Sequence, residues 1–263
     1  MMSTHLKSPT LEIGKNSNID QFGFGTWNLR GRSGQAAIEY ALEVGYRHLD
    51  SADLYRNHRS VAAAIKNSGL NREEIFIVSK LWSNSLEADQ VGPAVERFLM
   101  ELNTDYLDLL LIHWPAGSTP ITDTLKAMHA VREAGGITHI GVSNFGVAEM
   151  QEALDSGVPV SNNQVEFNLR RPANEVLDFC LANGISVTAY TPLLRGSSGQ
   201  ERIIAEIADK YEATREQVLL NWLMAKQMIV IPRSTNRDHI RENWEALGWE
   251  MDAEDVDKIE QAL

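Results

Sequence analysis

Four side chains carry the chemistry this sequence could do: Asp50, Tyr55, Lys80 and His113. Asp50, Lys80 and His113 each close a short apolar segment, and Tyr55 follows shortly after Asp50. An acid and an amine brought to one buried rim should pair, because an isolated buried charge is very costly. A cation held near a phenol favours the phenolate and draws its pKa down from ~10. Tyr55 beside Lys80 would then protonate an oxyanion at neutral pH as a general acid. His113 would orient and polarise a carbonyl oxygen. The set fits addition of hydride to a carbonyl. Taken singly, each member has an ordinary reading: a structural ion pair, a satisfied core histidine, a loop tyrosine.

These residues must be brought together by the elements that end in them. The apolar segments Gly23–Thr26, Tyr46–Asp50, Ile75–Lys80, Tyr106–His113, Ile137–Ser143, Asn162–Glu166, Ile185–Tyr190 and Met228–Pro232 read as strands. They alternate with helical patterns over Gly34–Val44, Asn57–Asn67, Ala88–Leu102, Thr122–Ala134, Val147–Asp155, Pro172–Asn183, Gln200–Tyr211 and Arg237–Leu247. Such alternation predicts a parallel sheet, and short, nearly unbroken apolar strands predict cover on both faces. Eight units of about 33 residues predict a (β/α)8 TIM barrel, with its site at the C-terminal strand ends. Pro172 is read as opening a helix and Asn183-Gly184 as stopping it. Arg215–Ala225 and Ala253–Leu263 are two extra helices, and residues 10–20 are expected to form a hairpin closing the barrel floor. The expectation is one domain over residues 1–263.

Composition narrows the function. The chain has 263 residues and a net charge of −12, which argues against nucleic acid or an anionic membrane surface as partner. Cys180 is the only cysteine, which excludes an internal disulfide and is read as helix packing. The apolar runs Leu109–Ile112 and Met228–Ile231 are far too short to span a bilayer. Met1–Thr10 lacks a signal-peptide core, so the expected compartment is the cytoplasm. No HxH pair or carboxylate cluster marks the strand ends, so no metal is expected. Gly23-Phe24-Gly25 lacks the third glycine of a dinucleotide fingerprint. His48 is read as barrel filling, His5, His129 and His139 as surface or packing, and Trp222, Trp244 and Trp249 as packing of outer helices.

The segment from Gly45 to Asn57, Gly-Tyr-Arg-His-Leu-Asp-Ser-Ala-Asp-Leu-Tyr-Arg-Asn, resembles the first signature of the aldo-keto reductase superfamily. Ile77–Trp82, Leu111–Pro115, Gly141–Phe145 and Ile231–Thr235 fit the same pattern in order. The resemblance implies that Tyr55 is the proton donor, tuned by Lys80 and Asp50, with His113 orienting the substrate. It implies that Ser143, Asn144 and Gln164 hold the nicotinamide amide and that Tyr190 stacks on its ring. Gly25, Thr26 and Trp27 would lie beside cofactor and substrate, and Thr191, Pro192 and Leu193 would wrap the pyrophosphate. Arg233, Ser234, His239, Glu242 and Asn243 would take the adenosine end.

The sequence departs from the family at three of these places. Arg233 stands where the family usually has Lys, and His239 where NADPH-dependent members often have Arg. Arg233 can still bind a 2′-phosphate bidentately, with Arg237 nearby, so NADPH is the expected cofactor and NADH the second option. His58 replaces the common Glu after Asn57; as a helix-start residue it is set outside the proton-transfer set. Trp27, Trp82 and Trp114 predict an aromatic substrate pocket. The chain ends soon after its last helix, so the expected mouth is open and less selective. The short form resembles bacterial 2,5-diketo-D-gluconate and methylglyoxal reductases. The expected substrate is a small carbonyl compound, the expected state a monomer. The alternative is a non-catalytic protein of the same fold that binds the nicotinamide cofactor and serves a regulatory or interaction role.

Overall fold

The computed structural model describes residues 6–15, 17–115, 119–194 and 196–263. His5 therefore lies outside the described residues. The chain opens with an antiparallel hairpin, β1 (Thr10–Glu12) and β2 (Asn18–Asp20). Eight parallel strands follow: β3 (Gly23–Gly25), β4 (His48–Asp50), β5 (Phe76–Leu81), β6 (Leu107–Ile112), β7 (Ile137–Ser143), β8 (Asn162–Glu166), β9 (Ser186–Tyr190) and β10 (Met228–Val230). They pair in sequence order from β3 to β10. The seam between β10 and β3 is closed by a parallel bridge from Phe22 to Val230. The amides of Val230 and Gly25 donate across it, to the carbonyls of Gln21 at 2.8 Å and Pro232 at 3.1 Å. Gly25 lets the strands meet there: a Cβ at that position would stand 2.8 Å from the Ile231 carbonyl oxygen.

The helices are α1 (Gly31–Val44), α2 (His58–Ser68), α3 (Ala88–Leu102), α4 (Ile121–Glu133), α5 (Val147–Asp155), α6 (Asn174–Ala182), α7 (Ser198–Tyr211), α8 (Arg215–Ala225), α9 (Arg237–Glu245) and α10 (Ala253–Glu260). The expected barrel, its two additional helices α8 and α10, and its closing hairpin are all present. Gly184 ends α6 in the left-handed region, at φ 69. Pro172 does not open that helix. The Asn168 side chain accepts from the amides of Arg170 and Arg171 at 3.0 and 3.1 Å, holding that stretch in a turn and delaying the helix to Asn174.

The two faces of each strand explain the unbroken apolar runs. On β5, Ile77 and Leu81 pack outward under the helices, whereas Val78 points into the barrel with Leu109, Leu111, Ile229 and Ile231. Ile13 and Ile19 of the hairpin plug this inner core from below. Period-two alternation then forces Lys80 to the inner face with Val78, and Asp50 to the inner face with His48. Outside the barrel, Trp222 and Trp244 are buried, and Trp249 stacks on Tyr211 with ring centroids 4.7 Å apart. Cys180 is buried and its thiol is pushed up to about 11 by burial.

Candidate active site

The C-terminal strand ends enclose a cleft of about 620 Å³. At its base Lys80 is wholly buried, and its Nζ donates to Asp50 Oδ1 at 2.6 Å and to the Ser51 carbonyl at 2.9 Å. The other Asp50 oxygen accepts from Gln164 Nε2 at 2.7 Å. This is the ion pair expected of two charges forced inward on neighbouring strands. Burial pulls the Lys80 ammonium down and Asp50 opposes that pull.

Tyr55 lies over the pair, with Lys80 Nζ 5.1 Å from its ring centroid. The expected fall in the Tyr55 pKa does not occur. Burial and then the Asp50 charge push the phenol well above its ordinary value. The carboxylate that neutralises Lys80 cancels the field that would have favoured a phenolate. Tyr55 is therefore a fully protonated phenol at neutral pH.

His113 meets Tyr55 edge-on at 5.8 Å and Trp82 at 5.2 Å between ring centroids. Among the described residues its buried Nδ1 has no hydrogen-bond partner, leaving Nε2 as the nitrogen toward the cleft. Burial, with help from Lys80, pushes its pKa down to about 3, so the ring is neutral at neutral pH.

One wall of the cleft is a hydrogen-bonded chain. The Tyr190 hydroxyl donates to Asn144 Oδ1 at 2.8 Å. Asn144 Nδ2 donates to the His113 carbonyl at 2.9 Å and to Ser143 Oγ at 3.0 Å. Ser143 Oγ donates to the Gln164 carbonyl at 2.8 Å. Asn144 and Thr191 hold positive φ, at 63 and 51. Asn tolerates that region, but a β-branched Thr there is strained, and such strain gathers at functional sites. It turns Thr191, Pro192, Leu193 and Leu194 into the cleft.

Of the residues the sequence nominated, Gly25, Trp27, Asp50, Tyr55, His113, Trp114, Ser143, Asn144, Gln164, Tyr190, Thr191, Pro192, Leu193 and Arg233 line this cleft. Lys80 lies beneath it. Thr26 lies behind it, its hydroxyl donating to the Asp50 carbonyl at 2.8 Å. Trp82 backs His113 rather than walling the cleft. Ser234, His239, Glu242 and Asn243 stand outside the cleft wall. Arg237 pairs with Glu43 at 3.3 Å and lies over the Tyr40 ring. Leu54, Ile231 and Pro232, which lie in the family-like segments but were given no role, also line the cleft, as does Leu194, which no signal marked. His58 was set aside as a helix-start residue, yet it is buried among hydrogen-bond partners.

A match to the aldo/keto reductase family model covers residues 21–263. The chain belongs to the aldo/keto reductase family. It is accordingly an NAD(P)H-dependent oxidoreductase. It is 36% identical to a glyoxal reductase of Bacillus subtilis over 98% of this chain and 94% of that one. It is 36% identical to the methylglyoxal reductase DkgB of Salmonella typhi, over 92% of each. Among solved structures, an aldo-keto reductase of Bombyx mori in complex with NADP superposes with a TM-score of 0.88. That structure is 30% identical, over 98% of this chain and 93% of that one. Among the described residues of this family member, no helix is long and apolar enough to cross a membrane.

Two buried imidazoles set an acid limit on the stability of this reductase. His48, whose Nδ1 donates to the Asp20 carbonyl at 3.2 Å, is pushed down to about 4 by burial. His113 is pushed down to about 3. Both titrate near ~6.5 when unfolded, so their contribution is complete above that pH. It is lost as pH falls through this range toward the folded values. Asp20, pushed up to about 6 by burial, has the opposite sign and gains stability as pH falls below 6. Two imidazoles outweigh one carboxyl. The melting temperature is expected to drop between about pH 6.5 and 4, by a few kcal/mol in stability. His48→Gln, which keeps a donor for the Asp20 carbonyl and cannot ionise, should flatten that drop; an unchanged acid limb would contradict the assignment.

Proposed function

We propose that this reductase uses NADPH to reduce small aldehydes and ketones, 2-oxoaldehydes and keto-sugars among them, to alcohols, with Tyr55 as proton donor. The observation that carries the reading is the buried Lys80–Asp50 pair directly beneath Tyr55, with a neutral His113 at the same cleft. The relatives named for glyoxal and methylglyoxal reduction support the substrate class.

The residues present fit a nicotinamide cofactor. The cleft runs from Tyr55 and His113 past the polar wall of Asn144 and Gln164 to the exposed Arg233 guanidinium, which lies 5.7 Å over the Trp27 ring. Ser143, Asn144 and Gln164 would hold the carboxamide. Gln164 has already committed its Nε2 to Asp50, so its oxygen is the atom free for that task. Tyr190 would face the ring, and Arg233 would take the 2′-phosphate through its planar fork. His239, Glu242 and Asn243 would reach the adenosine end only if that end extends beyond the cleft. When bound, the reduced cofactor supplies the hydride.

The chain's own residues do the rest. His113 Nε2–H donates to the carbonyl oxygen and fixes its approach. A neutral ring suits that task, because it polarises without competing for the proton. Tyr55 carries its proton at all neutral pH values and passes it to the oxygen as negative charge develops there. The phenolate left behind stands beside the Lys80 ammonium, which stabilises it at the moment it forms. Asp50 and Gln164 keep that ammonium in place. Trp27 and Trp114, half exposed at the mouth, shield the carbonyl from water. Every group in this scheme comes from one chain, which supports a monomer of one domain, and the net charge of −12 argues against a nucleic-acid or anionic-membrane partner.

The test is consumption of NADPH with methylglyoxal, repeated with NADH and with Arg233→Ala. Consumption with NADPH and little with NADH is expected. Arg233→Ala should weaken NADPH binding about tenfold or more and leave NADH binding within about twofold, since a charged hydrogen-bonded pair is lost. Equal weakening for both cofactors would remove Arg233 from the 2′-phosphate.

A further inference from the structure

Tyr55 sits at the end of a short 3-10 turn, Asp53–Tyr55. Arg56 follows in the left-handed region at φ 52, and α2 begins at His58. Local preferences do little to hold this stretch. Arg56 is a non-glycine residue at positive φ. Asn57, the N-cap of α2, gives its side chain to Thr26 and Ser51 rather than to its own helix. Arg30 secures one point by donating from Nε to the Tyr55 carbonyl at 2.7 Å.

A further hold comes from α3. Arg97 donates bidentately to the Asp53 carboxylate, at 2.8 and 3.0 Å, just before Tyr55. One helical turn further, Glu101 pairs with His58 Nδ1 at 3.1 Å, just after Tyr55. The imidazole is buried and packs edge-on against Phe98 at 5.0 Å. The Glu101 carboxylate accepts, so Nδ1 carries the proton of the neutral ring. Nε2 then accepts from the Ser79 hydroxyl at 2.9 Å, and Ser79 precedes Lys80 on β5. Residues at i and i+4 share one helix face, so a single turn of α3 meets both flanks of Tyr55.

We propose that Arg97 and Glu101 are positioning residues for the proton donor. They fix the Tyr55 turn from both sides and tie it, through His58 and Ser79, to the strand that carries Lys80. Neither lines the cleft. This inference rests on the reductase reading. A displacement of about 1 Å at a reacting group costs on the order of 100-fold in rate, so a modest loosening of the turn is enough to be measured.

The experiment compares the Arg97→Ala/Glu101→Ala double variant with the unaltered chain in two ways. Steady-state kinetics with NADPH and an aldehyde should show kcat about tenfold lower, with KM and the NADPH dissociation constant within about twofold. Backbone hydrogen exchange over residues 51–58 should speed up about tenfold, whatever the turnover. Glu101→Gln keeps an acceptor for His58 Nδ1 and should recover most of the loss seen in Glu101→Ala. Should the double variant fail to fold, those two single variants are read in the same way. Unaltered exchange would overturn the grip. A lowered melting temperature with kcat intact would overturn the positioning role. An unaltered chain that turns over no carbonyl would sink the reductase reading instead, while the exchange result still decides whether α3 holds the turn.

Discussion

Tyr55→Phe is expected to lower kcat/KM by about 100- to 10,000-fold, the usual contribution of a placed general acid. The replacement leaves the ring above Lys80 and its edge contact with His113 in place, and removes only the hydroxyl. NADPH binding should stay within about twofold, because the lost group acts on the developing oxyanion rather than on the cofactor. The loss should appear in kcat at saturating aldehyde. A variant with full turnover would show that the proton comes from elsewhere, and the site would need another acid. The structure sharpens the expectation in one respect. Burial and Asp50 keep the phenol protonated, so activity should not fall across the neutral range through ionisation of Tyr55.

The second large effect concerns the pair beneath it. Lys80→Met removes a wholly buried ammonium and leaves Asp50 charged, with Gln164 as its remaining side-chain donor. Breaking a buried pair from one side costs about 3–5 kcal/mol, because the survivor is left without its counter-charge. Urea unfolding should show that loss as a lower midpoint at unchanged slope. Turnover should fall about 100-fold or more, since the new phenolate would face Asp50 with no cation to balance it. Asp50→Asn/Lys80→Met separates the two effects. Removing both charges should restore much of the stability and none of the turnover. If Lys80→Met were as stable as the unaltered chain, the pair would not be the buried charge balance described above.

The parts of this molecule that repeat were legible from sequence. Eight apolar segments alternating with helices gave the barrel, because strand burial on both faces leaves an unbroken apolar run that ends where polar chemistry begins. Asp50, Lys80 and His113 were visible because an acid, an amine and an imidazole end three consecutive strands and so converge on one rim, although each alone has an ordinary structural use. Tyr55 was visible only relative to Asp50.

What stayed hidden depends on three-dimensional partners. The direction of the Tyr55 shift turns first on how deeply the ring is buried and then on the nearness of Asp50, and neither can be read from spacing. The delayed start of α6 turns on the Asn168 side chain capturing two amides across its own turn. The commitment of Gln164 to Asp50 joins residues from opposite parts of the barrel. Nothing in the spacing of Arg97 and Glu101 on α3 says that Asp53 and His58 wait opposite. Leu194, part of the apolar lining, carries no signal distinct from any other loop leucine.

On the proposed reading, hydride moves to the carbonyl carbon while Tyr55 supplies the proton. The most direct measurement uses NADPH deuterated at the transferring position, with methylglyoxal as acceptor, and reads the alcohol product by mass spectrometry. One alcohol should form per NADPH consumed, with deuterium on the new carbinol carbon, and that product should be almost completely lost in Tyr55→Phe. Tight NADPH binding with no deuterated alcohol from any of a panel of aldehydes would contradict it, and would favour a protein that holds the cofactor without using it.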